Sequence, residues 1–373
     1  MKIALVHDYL SQDGGAERVL QAFHEIWPEA PIFVLFYDKN KIKNFADANI
    51  RESFLSKLPF VKSKFQWYLP LMPLATEKHD LNDFDVVLSS TSAFAKGILT
   101  KEDSLHISYC HTPTRYLWSD THEYIQDLKY NFLVKFFLPS LIHKLRIWDK
   151  NSVDRVDYFI ANSYTIVKRI KKYYRRKSDV IFPPVNLKKF FISEKQEDYF
   201  VTGGRIVNYK RFDLVAQAFN RLGYKLKIFG DGPALKSLKK LAKSNIEFLG
   251  RISDEEKAQV LSKARAFIHP QVEDFGITPV ESMASGRPVI AFGVGGVTET
   301  IVQGVSGLFF YKQDWETLFD TVLNFDKYTW DSGKISELAC RFDEKIFKEK
   351  IKKYVDEHYL DFLSEMNRCD LEI

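Results

Sequence analysis

The clearest structural signal of this 373-residue chain lies in residues 198–232, DYFVTGGRIVNYKRFDLVAQAFNRLGYKLKIFGDG. Both ends of the stretch are rich in apolar residues, as buried strands are, whereas residues 212–222 carry apolar residues at helical spacing. Strand, helix and strand in this order form the unit from which parallel sheets with helices on their faces are built. The stretch therefore predicts a doubly wound α/β domain.

The same alternation extends in both directions from this stretch. Towards the C-terminus we predict helices over 233–243, 254–264 and from 278, and strands over 245–252, 266–271 and 287–292. Towards the N-terminus we predict strands over 2–10, 31–38, 84–92, 106–112 and 156–164, and helices over 16–28 and 165–174. The proline pair in VIFPPVN (180–186) predicts a linker between the two series.

These patterns predict an α/β protein of two Rossmann-like, doubly wound parallel-sheet domains. The first covers residues 1–184 and the second covers residues 185–342. Residues 343–373 are predicted to form a C-terminal helix that packs back towards the first domain.

Composition and charge exclude several classes of protein. With 45% hydrophobic and 28% charged residues the chain is neither disordered nor fibrous. A net charge of +5 is too mild for a dedicated nucleic-acid binder. The three scattered cysteines favour a reducing compartment, and we find no signal peptide and no apolar run of spanning length. We therefore expect a cytoplasmic protein.

Two short segments combine glycines or cations with the ends of strands. Gly14 and Gly15 separate the first strand from the first helix, where a helix N-terminus favours anions, although a plain tight turn explains the pair equally well. Arg205 and Lys210 follow the strand at 198–206, at the edge where ligands bind in such sheets. The forked guanidinium of Arg205 and the compact charge of Lys210 suit a diphosphate. Their spacing alone also fits two ordinary surface cations.

Two glutamates frame a third segment, EDFGITPVESMASGRPVIA (273–291). Glu273 precedes a loop and Glu281 lies in the first turn of the next helix. Carboxylates at such positions suit the hydroxyl pairs of ribose or hexose, and the backbone between them can donate to phosphate oxygens. The spacing by itself is common and indicates nothing.

In its context, however, this segment resembles the retaining glycosyltransferases of family 4. The resemblance rests on EDFGITPVESMASGRPVIA, on GGVTE (295–299), on GGRIVNYKR (203–211) and on GGAER (14–18), which occur in the order of that family. It implies the GT-B fold, in which two Rossmann-like domains face each other. The extended motif HTPTRYLW (111–118) is similar to the subgroup of bacterial O-antigen and exopolysaccharide mannosyltransferases.

The resemblance implies a role for each matching position of the second domain. Arg205 and Lys210 would hold the donor diphosphate and stabilise it as it leaves, and Glu281 would bind the nucleotide ribose. Glu273 would contact the transferred sugar. Backbone contacts with the donor would come from Phe275, Gly276, Ile277 and Thr278, and Arg251 and Ile252 would flank the base.

The first domain would contribute fewer residues. Gly14 and Gly15 would let the N-terminal loop approach the phosphate, and His111 would contact the donor sugar from the end of its strand. A structural histidine is the alternative for His111. Arg115, Tyr116 and Trp118 are either an acceptor surface or a packed aromatic loop. The expected catalytic set is Lys210, Arg205, His111 and Glu273.

The expected reaction is transfer of a hexose, mannose from GDP-mannose, to a glycan acceptor carried on a polyprenyl diphosphate. A UDP-sugar donor is the alternative within the family, and a catalytically silent sugar-nucleotide-binding or scaffold protein is the alternative from another class. Neither a cofactor nor a metal is implied, because no metal–diphosphate motif is present. Nucleic acid is not expected as a partner.

The net positive charge belongs to the N-terminal half. Residues 1–186 hold 26 Lys and Arg against 21 Asp and Glu, and the basic run 165–177 holds seven cations and no acid. Aromatic residues alternate with lysines in 54–75 and 128–150. Segments of this kind suit an anionic bilayer surface, so we expect peripheral contact with the inner face of the cytoplasmic membrane.

Overall fold

The computed structural model describes residues 1–12, 14–122 and 132–369 of the chain. These residues form two compact units. Unit 1 contains Met1–Pro184 and the chain from Phe347 onwards, and unit 2 contains Val185–Ile346. Residues 128–131 of the second aromatic segment lie outside the described residues.

The sheet of unit 1 has seven parallel strands in the order β3-β2-β1-β4-β5-β6-β7. Every residue of β1, β4 and β5 is buried, as expected for a parallel sheet covered on both faces. The strands are β1 (Ile3–His7), β2 (Ile32–Val34), β3 (Ile50–Glu52), β4 (Val86–Thr91), β5 (Leu105–Cys110), β6 (Tyr158–Ala161) and β7 (Asp179–Val180). The helices are α1 (Gly15–Ile26), α2 (Val61–Lys64), α3 (Met72–Glu77), α4 (Phe132–Ser152) and α5 (Tyr164–Arg169), which continues as a π-helical turn (Ile170–Tyr174).

Unit 2 has a six-stranded parallel sheet in the order β10-β9-β8-β11-β12-β13. Its strands are β8 (Phe200–Gly203), β9 (Leu226–Phe229), β10 (Ile246–Gly250), β11 (Phe267–His269), β12 (Val289–Phe292) and β13 (Gly307–Phe310). Its helices are α6 (Phe212–Leu222), α7 (Leu235–Leu241), α8 (Asp254–Lys263), α9 (Ile277–Ala284), α10 (Val297–Thr300), α11 (Trp315–Leu323) and α12 (Ser332–Ala339). The predicted fold class, two Rossmann-like parallel sheets, is confirmed.

Each sheet has one point where the strand order reverses. In unit 1 it lies between β1 and β4, and in unit 2 between β8 and β11. At such a point the connections leave the two strands in opposite directions, which opens a crevice at their carboxyl ends. These two crevices are where the fold provides for ligands.

The last helix, α13 (Glu344–Cys369), packs on the core of unit 1. Phe347, Ile351 and Val355 belong to the same buried cluster as the residues of β1 and β5. Phe347 stacks on Phe23 at 6.0 Å and meets the edge of Tyr109 at 5.9 Å. Tyr354 donates a hydrogen bond to Asp179 on β7 at 2.9 Å.

The aromatic segment 54–75 is helical throughout most of its length. The 3₁₀ helices Phe54–Lys57 and Phe65–Leu71 alternate with α2 and α3, and all share a buried cluster with Leu138, Ile142 and Leu145 of α4. No helix among the described residues is long and apolar enough to cross a membrane.

Candidate functional site

Lys210 and Glu273 meet at the reversal point of the unit 2 sheet. Lys210 ends the 3₁₀ turn after β8, and Glu273 follows β11. The Lys210 Nζ lies 2.8 Å from Glu273 Oε1, which also accepts a hydrogen bond from Gln271 Nε2 at 3.2 Å. Burial raises the pKa of Glu273, but the opposing effects of Lys210, His269 and the hydrogen bonds are larger and lower it to about 2. The carboxylate is therefore ionised at neutral pH.

His269 lies directly beneath this pair at the end of β11. Its Nε2 is 4.0 Å from Glu273 Oε2, and neither ring nitrogen has a hydrogen-bond partner among the described residues. Burial lowers the pKa of His269 to about 4, so the ring is neutral at pH 7. Sequence reasoning missed this residue, although a histidine at the carboxyl end of a strand was a signal that it used for His111.

Two glycines hold the loop that carries Glu273. Gly295 forms a parallel bridge with Glu273, and the Gly296 N–H donates to the Glu273 carbonyl at 2.9 Å. A Cβ on Gly295 would lie 2.5 Å from the Glu273 carbonyl oxygen, and one on Gly296 would lie 2.4 Å from the Asp274 oxygen. The GG pair is therefore required by the close approach of two backbone segments.

The residues after Glu273 lead into α9. Gly276 caps the helix with φ of +90°, and Ile277 and Thr278 form its first turn. The Phe275 side chain is buried against Phe342 at 5.4 Å, so this residue offers a ligand only its backbone.

Glu281 is buried on α9 and paired across to α8. The Lys257 Nζ lies 2.8 Å from Glu281 Oε1 and 3.1 Å from Asp254 Oδ1. Lys257 is a second residue that sequence reasoning missed. Arg205 and Arg251 are exposed at the carboxyl edge of the sheet and Ile252 is half-buried there. The structure thus brings Lys210 and Glu273 into contact, and gives Glu281 a different cation as its partner.

His111 follows β5 and lies beside the reversal point of the unit 1 sheet, where it contacts the neighbouring strand β4. The Ser90 Oγ on β4 is 2.8 Å from His111 Nε2 and 3.1 Å from His7 Nδ1 at the end of β1. Burial and the neighbouring His7 lower the pKa of His111 to about 3. The adjacent Asp8 accepts backbone N–H bonds from Ser92 to Ala95 at 2.7–2.9 Å, which fixes the loop after β4.

Gly14 caps α1 and Gly15 is its first residue. Glu17 lies in the first turn of the same helix and is buried. Its carboxylate compensates part of the positive charge of the helix N-terminus, which weakens the attraction for a further anion there.

The loop 112–118 is tied to the body of unit 1. Arg115 pairs with Asp120 at 2.6 Å. The Trp118 indole donates to Asp149 at 2.8 Å and stacks on Tyr173 at 5.2 Å. Asp149 also forms a buried ion pair with Lys96 at 2.5 Å. These contacts favour a packed aromatic loop over an acceptor surface for Trp118.

Across the described ranges, no group of three or more His, Cys, Asp or Glu side chains is arranged to hold a metal ion. The polar groups at the reversal point of unit 2 suit an anionic, hydroxyl-bearing ligand. There, Lys210 lies beside the ionised carboxylate of Glu273. In unit 1, the ring of His111 contacts the hydroxyl of Ser90.

Two Rossmann-like parallel-sheet units of seven and six strands make up the GT-B fold. Residues 186–327, most of unit 2, match the family model described as "Glycosyl transferases group 1". The solved structure of Anabaena Alr3699/HepE in complex with UDP superposes with a TM-score of 0.71 at 16% identity, covering 96% of this chain and 100% of that chain.

Two relatives by sequence agree with this assignment. An uncharacterized glycosyltransferase of Methanocaldococcus jannaschii is 28% identical over 212 residues, 56% of this chain and 60% of that protein. The O-antigen chain mannosyltransferase RfbU of Salmonella typhimurium is 26% identical over 237 residues, 60% of this chain and 67% of that protein. The comparisons support a glycosyltransferase with the GT-B fold, and the matched part spans about two thirds or less of either relative.

Proposed function

We propose that this protein is a retaining glycosyltransferase of family 4 that transfers mannose from GDP-mannose to a glycan acceptor. The observation that carries the proposal is the Lys210–Glu273 ion pair at the reversal point of unit 2, within the segment that matches the glycosyltransferase family. The name of the Salmonella relative, an O-antigen chain mannosyltransferase, supports mannose as the sugar and a bacterial surface polysaccharide as the product of this protein.

The ion pair suggests how the donor is held. A diphosphate carries more charge than one carboxylate, so it would compete with Glu273 for Lys210, and exposed Arg205 would add a second contact. Glu273, left ionised by its low pKa, would then accept hydrogen bonds from sugar hydroxyls. Cations positioned before the reaction stabilise the charge that develops on the leaving diphosphate, which is the largest catalytic contribution we assign.

The proposed transfer takes place on one face of the sugar. The bond between the anomeric carbon and the diphosphate oxygen breaks while the acceptor oxygen bonds to the same face. The acceptor proton passes to the departing diphosphate oxygen. No nucleophilic carboxylate is needed, in keeping with Glu273 being held by Lys210 and Glu281 by Lys257.

A screen of GDP- and UDP-sugars tests the proposal. Thermal shift and donor hydrolysis should both respond most strongly to GDP-mannose. A response to UDP-sugars alone would overturn GDP-mannose as the donor. The screen includes UDP-sugars because the Anabaena structure contains UDP. Binding without hydrolysis or transfer would indicate a catalytically silent sugar-nucleotide-binding protein.

We further propose a polyprenyl-linked acceptor and peripheral contact with an anionic membrane. Phe60 is 67% exposed and Trp67 is 56% exposed on the helical segment 54–75, and Lys64 lies 4.3 Å from the Trp67 ring. Phe60 also holds a left-handed backbone conformation, with φ of 58°, unusual for a bulky residue. No acidic residue occurs between residues 54 and 76. Exposed aromatics among cations suit the interface of an anionic bilayer.

Flotation with phosphatidylglycerol vesicles tests this contact. Wild type should float at low salt, and Phe60→Ser with Trp67→Ser should abolish flotation. Tyr311→Ser is the matched control, because Tyr311 is a 70% exposed aromatic of unit 2. Absence of salt-sensitive flotation in wild type would overturn the membrane proposal, and Lys171→Glu with Lys172→Glu would show whether the basic run 165–177 contributes.

A further inference from the structure

Two neighbouring serines of β4 each contact a histidine, and only one of the two histidines has an unused nitrogen. Ser89 Oγ lies 2.9 Å from His106 Nε2, and His106 Nδ1 lies 3.0 Å from the Arg155 carbonyl. Both nitrogens of His106 are therefore satisfied inside unit 1. Ser90 Oγ lies 2.8 Å from His111 Nε2, but His111 Nδ1 has no hydrogen-bond partner among the described residues.

The contacts of His7 determine where the protons lie. His7 Nδ1 is 3.1 Å from the Ser90 carbonyl oxygen and 3.1 Å from Ser90 Oγ. A carbonyl oxygen only accepts, so neutral His7 must carry its proton on Nδ1 and donate it towards Ser90. Burial, the largest effect, lowers the pKa of His7, in agreement with a neutral ring.

The Ser90 hydroxyl then has one hydrogen-bond acceptor left to which it can donate its proton. It cannot donate to a nitrogen that already carries hydrogen, so it donates to His111 Nε2. The neutral His111 ring must therefore carry its own proton on Nδ1. The chain of bonds runs from His7 through Ser90 to His111 and ends in a free N–H donor beside the reversal point of the sheet.

We propose that Ser90, held by His7, is a positioning residue that fixes His111 as an Nδ1–H donor for an oxygen of a sugar ligand in the crevice of unit 1. The nature of that ligand rests on the proposed function, whereas the protonation state of His111 does not. The Nδ1 of His111 is not among the sealed polar atoms of the described residues, so a ligand oxygen can reach it and accept this bond. His106 shows the contrasting case, in which a backbone carbonyl takes the same position.

Histidine-selective ¹⁵N NMR of the free protein tests the protonation state without any substrate. Wild-type His111 should be protonated on Nδ1 and unprotonated on Nε2. Ser90→Ala removes the donor to Nε2 and should shift His111 towards the Nε2–H form, whereas Ser90→Thr keeps the hydroxyl and the wild-type signal. Ser89→Ala is the matched control, because it should alter His106 and leave His111 unchanged.

Kinetics provide the second readout. Ser90→Ala should lower kcat/KM by about fivefold to tenfold, the usual consequence of losing one well-oriented hydrogen bond, and Ser89→Ala should not. A wild-type His111 protonated on Nε2, or an unchanged tautomer in Ser90→Ala, would overturn the inference. If the NMR result holds while no sugar nucleotide is turned over, the proposed function fails and the positioning of His111 stands.

Discussion

Under the proposed function, Lys210 is the single side chain on which activation of the donor depends most. We expect Lys210→Ala to lower kcat by roughly 10²–10³, because it removes a positioned donor to the leaving charge. Steady-state transfer assays with the preferred donor measure the effect. Lys236→Ala, an exposed lysine of α7, should behave as wild type. Undiminished turnover in Lys210→Ala would show that the diphosphate lies elsewhere.

Glu281 is expected to act on donor binding. Glu281→Ala should raise the donor KM by roughly tenfold or more, since a charge-assisted hydrogen bond contributes about 1.5–3 kcal/mol. Lys257→Met serves as its control, because it breaks the same ion pair but keeps the carboxylate. Equal KM values for Glu281→Ala and wild type would remove the ribose role, and equal effects of both variants would reduce Glu281 to a structural residue.

The sequence allowed the candidate site residues to be predicted only in part. The types and positions of Arg205, Lys210, Glu273 and Glu281 identified candidates, but their partners were not visible. Lys257 lies on a different helix from Glu281, and a contact between two helices depends on how they pack rather than on spacing along the chain. His269 lies only four residues before Glu273, so spacing along the chain could have found that contact.

Among the loops that join strands and helices, the one that carries Glu273 depends on Gly295. Gly295→Ala should lower both the thermal midpoint and transfer activity, because φ of +85° is strained for alanine and the new Cβ would displace the Glu273 carbonyl. Gly223→Ala is the matched control. The φ of Gly223 is +73°, but no atom lies within 4 Å of a Cβ placed there. Gly223→Ala should therefore lower the thermal midpoint through backbone strain and leave transfer activity unchanged. A Gly295→Ala variant as active as Gly223→Ala would contradict the proposed role of the loop.

The elements themselves were predicted best where apolar periodicity was strong. The buried strands β1, β4 and β5 were expected from sequence, whereas β3 was not. Its residues, Ile50–Glu52, are mostly exposed and polar, and they form a strand only because the edge of β2 offers hydrogen-bonding groups.

Helix α13 ties the end of the chain to the core of unit 1 at the scale of the whole molecule. Phe347→Ala should destabilise this unit by about 3–5 kcal/mol, as for other buried aromatic truncations. Calorimetry measures the shift in the unfolding of unit 1. Leu360→Ala changes a 66% exposed residue of the same helix and should have little effect. Similar losses in both variants would mean that Phe347 does not anchor the helix.

Buried neutral histidines should make the molecule sensitive to mild acid. Burial lowers the pKa to about 4 for His79, His106 and His269, to about 3 for His111, and below the ordinary value for His7. As the pH falls, the histidines of the unfolded chain are protonated near pH 6.5, before those of the folded protein. The free energy of unfolding is therefore fully retained above pH 6.5 and decreases as the pH drops towards 4. Each histidine contributes up to about 1.4 kcal/mol per pH unit.

Calorimetric midpoints at pH 7.5, 6.5 and 5.5 test this dependence. The midpoint should fall between pH 6.5 and 5.5, and His106→Gln should make the fall smaller. A midpoint that is constant across this interval would contradict the burial of neutral rings.

Local sequence determined the two series of strands and helices, because burial on both faces of a parallel sheet leaves apolar runs that can be recognised without any neighbour. It also named the candidate residues on which the proposed donor chemistry rests. The tertiary structure alone decided which of them meet. Strand order places β8 beside β11, and β4 between β1 and β5, and so creates the Lys210–Glu273 pair and the His7–Ser90–His111 chain. The physical reason is that strand pairing joins segments that lie far apart in the chain, and local periodicity carries no information about which segments pair.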